Sequence, residues 1–153
     1  MASQQEKFLK RILLVVDGSQ TSEETTAFAL RMAKALESEL VATYVIDTAT
    51  MDYLLQMHIF VAEEREDFEE AILEKGTAYL KRTQKLAQAL EIPLETAILR
   101  GRLHQEILRY VRQKNIDAMV IGGRKYINHG KDIFSVERDR LLELATIPVI
   151  LVK

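Results

Sequence analysis

Asp17 and Gly18 close a continuous apolar run at residues 12–16, and Gly122 and Gly123 close a second at 118–121. A carboxylate at the carboxyl end of a buried strand faces the crevice where open α/β sheets bind ligands. Glycines at such an end let backbone amides approach phosphate oxygens, and a following helix N-terminus favours their charge. After the second glycine pair comes a basic, polar loop, RKYINHGKDIF, at residues 124–134. Its Arg124, Lys125, His129 and Lys131 offer side-chain cations, a second way to hold a phosphate. Each of these residues also has a plainer role open to it. Asp17 accepts backbone amides in a strand-to-helix turn, Gly18 serves the turn, and the basic loop is solvated. Ser19 and Ser22 read as turn and cap residues, since no G-x-S-x-G elbow surrounds them. His58, His104 and His129 are far apart, and none has a His or Cys partner at metal-ligand spacing. His104 is expected in the first turn of a helix.

The elements that position these residues follow from the pattern of the chain. The run RILLVV is continuous and β-branched, as a strand buried on both faces requires, and strand one is expected over 11–17. Thr21-x-x-Glu24 has capping-box spacing. The helix it opens carries Phe28, Met32, Ala33 and Leu36 on its expected inner face and ends near Ser38. Strand two, ELVATYVI at 39–46, is closed by Asp47. The segment 48–61, TATMDYLLQMHIFV, reads either as a short helix or as a lid-like loop. The acidic run EEREDFEE at 63–70 starts a long helix to about Leu90, with Phe68, Ile72, Tyr79, Leu80 and Leu86 at roughly helical spacing. Its acidic start and basic later part (Lys81, Arg82, Lys85) complement the helix dipole. Strand three is expected at 94–99, then a helix with Leu103, Ile107, Leu108 and Val111 on one face. Strand four falls at 117–121, a last helix capped by Ser135 at 136–145, and strand five at 148–152.

Strands alternating with helices indicate a parallel sheet with right-handed crossovers. The expected fold is α/β, a single-domain, doubly wound, five-stranded parallel sheet of order 3-2-1-4-5 after a flexible leader at 1–9. That order places Asp17 beside Gly122-Gly123 at a switch point.

Composition narrows the function classes. A chain of 153 residues with a formal net charge of -2 has no global field to recruit nucleic acid or anionic lipid. The absence of cysteine removes disulfides, thiolate metal sites and cysteine nucleophiles, and fits an intracellular home. The polar start MASQQEKFLK lacks a signal-peptide core, and no apolar run approaches the ~20 residues of a spanning helix. The short apolar strand at 148–152 is an edge that invites pairing with a second copy.

The segments ILLVVDGSQTS (12–22), ATYVID (42–47), LRGRLHQEILRYVRQKNIDAMVIGGR (99–124) and ATIPVILV (145–152), in this order and spacing, resemble the universal stress protein family over residues 10–152. The resemblance implies an adenine-nucleotide-binding-like domain in a stress-linked regulatory protein, a cytoplasmic homodimer joined through the terminal strand, with no agreed catalytic activity. It implies nucleoside contact by Asp17 and by the backbone near Val15 and Val45, with Gly122 and Gly123 against the same ligand. Members that bind ATP carry Gly-x-x-Gly, nine residues, then Gly-Ser or Gly-Thr after strand four. Here the register from Gly122 gives Lys125, Ser135 and Val136, and the register from Gly123 gives Tyr126, Val136 and Glu137. Both fail. A one-residue slip places Ser135 in the Ser/Thr role, with Phe134 where glycine belongs. The phosphate loop is degenerate, which leaves Arg124 and Lys125 as candidates to bind phosphate by side chain. The expected cofactor is ATP or AMP, otherwise none, and the enzyme reading extends no further than a slow ATPase. The competing expectation is a nucleotide-independent dimer that captures an unknown protein partner through 48–61, with no role for nucleic acid or membrane insertion.

Overall fold

The computed structural model describes residues 8–16, 22–58, 61–123 and 133–153. The elements run β1 (Arg11–Val16), α1 (Ser22–Leu36), β2 (Glu39–Asp47), α2 (Thr48–Gln56), α3 (Ala62–Ala89), β3 (Leu94–Gly101), α4 (Leu103–Gln113), β4 (Ala118–Gly122), α5 (Ile133–Leu144) and β5 (Val149–Val152). The five strands form one sheet of order β3-β2-β1-β4-β5, and every neighbouring pair is parallel. This is the doubly wound order expected from the alternation of elements.

β1 lies at the centre because its side chains are apolar on both faces. Ile12, Leu14 and Val16 pack beneath α1 and α3, together with Ala29, Leu30, Tyr79, Leu80 and Ala87. Leu13 and Val15 pack on the opposite face with Leu103, Ile107, Val111 and Leu141 of α4 and α5. Each such buried side chain contributes roughly 1.5–3 kcal/mol, so this run anchors both layers. The amino end of β1 is fixed as well. Asp117 Oδ2 accepts the N–H groups of Lys10 and Arg11 at 2.9 and 3.0 Å, and Arg11 Nη1 donates to Lys114 O at 2.7 Å.

The helix faces differ in part from the periodicity reading. In α1 the buried stripe is Thr25, Thr26, Ala29, Leu30 and Ala33, and Phe28 is 42% exposed. Small residues let α1 lie close to the sheet, and Phe28 projects about 100° around the helix from Ala29. In α3 the buried residues are Gly76, Tyr79, Leu80, Thr83 and Ala87, while Phe68 and Leu86 are 46% and 53% exposed. A 28-residue helix spans about 42 Å, longer than the strands it crosses, so its first turns have no sheet beneath them. Leu86 faces α1 instead of the sheet. Acidic Glu63 and Glu64 occupy the first turn of α3, but its last turn has no basic residue. A cation from α1 does that work: Lys34 Nζ donates to Leu90 O at 2.7 Å. Gly76 is required by contact, since a Cβ there would fall 2.5 Å from Tyr44 Cδ1.

The segment after β2 is helical, as α2, with Met51 buried in the core. Arg65 of α3 pairs with Asp52 at 2.5 Å and ties α2 down. The last helix begins at Ile133, so Ser135 lies inside its first turn and is not its cap.

Candidate functional site

The candidate site is the carboxyl end of β1, β2 and β4. Parallel pairing sets its geometry: Val15 stands opposite Thr43 on one side and Ile121 on the other. Val45 lies opposite Leu99, and Asp47 opposite Gly101. Val15 and Val45 are both buried and pack on the α4/α5 face. Their side chains are thus core, and only their backbone is available to a ligand. Thr43 is fully buried, and its hydroxyl donates to Leu14 O at 3.2 Å, which satisfies it inside the sheet.

Gly122 ends β4 opposite Val152, and the Gly123 N–H donates to Val152 O at 2.6 Å. A Cβ at Gly123 would lie 3.1 Å from that carbonyl and 3.4 Å from Leu151 Cγ. The close approach of β5 therefore already favours glycine at 123. Val15, Val45, Gly122 and Gly123 come together at one end of the sheet. Asp17, Gly18, Ser19, Arg124, Lys125, His129 and Lys131 lie outside the described residues, and so does the side chain of Ser135.

Two features of this end were not taken as site features in the sequence reading. The first is a buried pair between α4 and α5. His104 Nδ1 lies 2.6 Å from Glu137 Oε2, and the same oxygen accepts the His104 N–H at 3.1 Å. A carboxylate oxygen accepts, so the ring proton is assigned to Nδ1. The side chains are 11% and 12% exposed, and a charge-assisted bond is strong in such surroundings. His104 sits in the first turn of α4, as expected, but its partner is 33 residues away and no spacing rule connects them. The second feature is Asp47, buried at the carboxyl end of β2. The sequence did mark it as a strand-closing carboxylate, the signal that singled out Asp17, although it was not taken as a site residue. Among the described residues no group of three His, Cys, Asp or Glu side chains is arranged to hold a metal. What the described part of the site offers is backbone at the carboxyl ends of neighbouring parallel strands.

The sequence model of the universal stress protein family matches residues 9–153. Universal stress protein MJ0531 of Methanocaldococcus jannaschii is 26% identical over 148 residues, 97% of this chain and 84% of that protein. The fold superposes on a universal stress protein family structure from Burkholderia pseudomallei with a TM-score of 0.73, at 21% identity, covering 97% of this chain and 98% of the other. It also matches the universal stress protein from Archaeoglobus fulgidus in complex with dAMP, with a TM-score of 0.62 at 15% identity, covering 97% and 100% of the two chains.

Proposed function

The chain belongs to the universal stress protein family, and on that premise we propose that it is a stress-response regulator that takes an adenine nucleotide at the carboxyl ends of β1 and β4. The observation that carries this reading is the pairing of β1 with β4, with Val15 opposite Ile121. The two strands feed helices on opposite faces of the sheet, which opens a crevice between their ends. The dAMP complex of the Archaeoglobus fulgidus protein, which shares the fold over 97% of this chain, supports an adenine nucleotide as the ligand class. In this reading the backbone at Val15 and Val45 borders the base, Asp17 accepts from the sugar hydroxyls, and Gly122 and Gly123 border the phosphate. Arg124 and Lys125 then supply the charge, with Ser135 near the start of α5. The degenerate glycine pattern after β4 favours AMP over ATP. The occupied state is read by a partner, and no chemistry is performed on the nucleotide.

The proposed assembly is a homodimer joined through β5. Val149–Val152 is the last strand of the sheet, with Leu151 39% exposed, and an open edge of this kind pairs with a second copy. The proposed setting is the cytoplasm. Among the described residues no helix is long and apolar enough to cross a membrane.

A second reading has one observation in its favour. Tyr53, Met57 and Val61 are exposed at and just beyond α2, between 48% and 56%, so the 48–61 segment offers an apolar surface for a protein partner. Native mass spectrometry of protein purified from its own cells, followed by denaturing release of small molecules, separates the two. A dimer that carries AMP or ATP supports the first reading. An empty protein that ignores added nucleotide overturns it in favour of the second.

A further inference from the structure

α1 and α3 lie side by side on one face of the sheet without closing against each other. Between them is a groove of about 500 Å³, within the range of small-molecule sites and on a different part of the molecule from the sheet's carboxyl end. Two cross-helix bonds join the helices along it. At one end the hydroxyls of Thr26 and Tyr79 hydrogen-bond each other, both nearly buried. At the other end Lys34 Nζ donates to Leu90 O. Thr26 and Lys34 are about 12 Å apart along α1 at the helical rise. The walls are apolar: Ala27 and Leu30 on one side, Leu86 and Leu90 on the other. Leu86 and Leu90 are among the more exposed large apolar side chains. They stand beside a floor that is already satisfied in its hydrogen bonds.

The rim is charged, and its charges are not equally engaged. Arg82 lies over the Tyr79 ring, 5.7 Å from the centroid, and 4.0 Å from Glu23. Arg31 lines the same groove from α1 and has no ion-pair or side-chain hydrogen-bond partner among the described residues. Arg31, Arg82 and Glu23 leave one positive charge uncompensated. A guanidinium with no partner among the described residues, beside an apolar trough, fits a small molecule with an apolar body and one carboxylate. We propose that the α1/α3 groove is a binding site for a medium-chain or aromatic carboxylic acid, with Arg31 receiving the carboxylate and Leu30, Leu86 and Leu90 covering the apolar body.

The test uses octanoate and its uncharged counterpart 1-octanol, each titrated into the full-length protein and followed by amide chemical shifts. The expected result is saturable one-to-one binding of octanoate that moves the amides of residues 26–31 and 79–90. Octanol binds the same place about tenfold more weakly. Arg31→Ala erases the difference between the two ligands and leaves octanol affinity unchanged. Ala27→Trp, at an exposed position, fills the groove and abolishes binding of both. Unchanged urea midpoints in these two surface variants establish that the fold is intact. The proposal is overturned if octanoate moves amides elsewhere or none at all, or if Arg31→Ala preserves the preference for octanoate. It is equally overturned if the same amides shift with protein concentration alone, which would assign the face to a second copy of the chain.

Discussion

Val15 of β1 and Ile121 of β4 are register partners in a parallel pair, and both side chains face α4 and α5. The helix that follows β1 nevertheless packs on the opposite face, with Ile12, Leu14 and Val16. The helices that follow these two neighbouring strands thus lie on opposite faces of the sheet. Such a change of face between neighbouring strands is where open α/β sheets form a ligand crevice or cleft. This relationship depends on topology alone, and it holds whichever residues border the cleft.

The His104–Glu137 pair ties α4 to α5 beside that cleft. Removing one partner leaves the other buried without its bond, which costs about 1.5–3 kcal/mol for a charged group. His104→Ala is expected to lower stability by that amount in urea unfolding. Glu137→Gln, which keeps an acceptor for the His104 N–H, is expected to cost less.

Gly76 is in mid-helix, where alanine is ordinarily better by about 1 kcal/mol. Here a Cβ would meet the Tyr44 ring at 2.5 Å, and overpacking costs about 1–3 kcal/mol. Gly76→Ala is therefore expected to destabilise the protein. In a Tyr44→Val background the same change is expected to stabilise it, and that reversal of sign in the urea midpoint checks the contact.

Burial raises the phenols of Tyr79 and Tyr110 above their ordinary value of 10.0, against the opposing effect of the Thr26 hydrogen bond in the first case and with help from Glu95 in the second. The folded state holds these protons more tightly than the unfolded chain. Stability is therefore whole below about pH 10 and is lost as pH rises through the folded values, with a limiting slope of about 1.4 kcal/mol per pH unit for each phenol. Unfolding free energies measured across the alkaline range should fall in this way, and Tyr79→Phe should flatten the fall.

The proposed dimer rests on the β5 edge. Leu151→Lys places a charge on that edge and is expected to yield monomers in light scattering at concentrations where the unaltered chain is dimeric. A dimer that survives this change would place the interface elsewhere.

Much of the architecture was legible because the central strands are apolar on both faces and the glycine and proline breaks are well spaced. The run at 12–16 and the helix face of Leu103, Ile107 and Val111 needed no tertiary information. The exposure of Phe28, Phe68 and Leu86 was not legible, because periodicity finds an apolar face without revealing whether the sheet extends beneath it. α3 outruns the strands, and α1 presents small residues to them. Ser135 was misplaced because a serine before a helical stretch reads as a cap, whereas α5 begins two residues earlier, at Ile133. The His104–Glu137 pair was invisible because a contact between two helices across 33 residues exists only once the sheet has been wound.

The most direct test of the proposed function is calorimetric titration of the full-length protein with AMP, ADP and ATP, repeated on Asp17→Ala. The account predicts saturable binding of one nucleotide per chain, AMP at least as tightly as ATP, weakened about tenfold or more by the substitution. Absence of saturable binding of all three at millimolar nucleotide, or equal binding by Asp17→Ala, would contradict it.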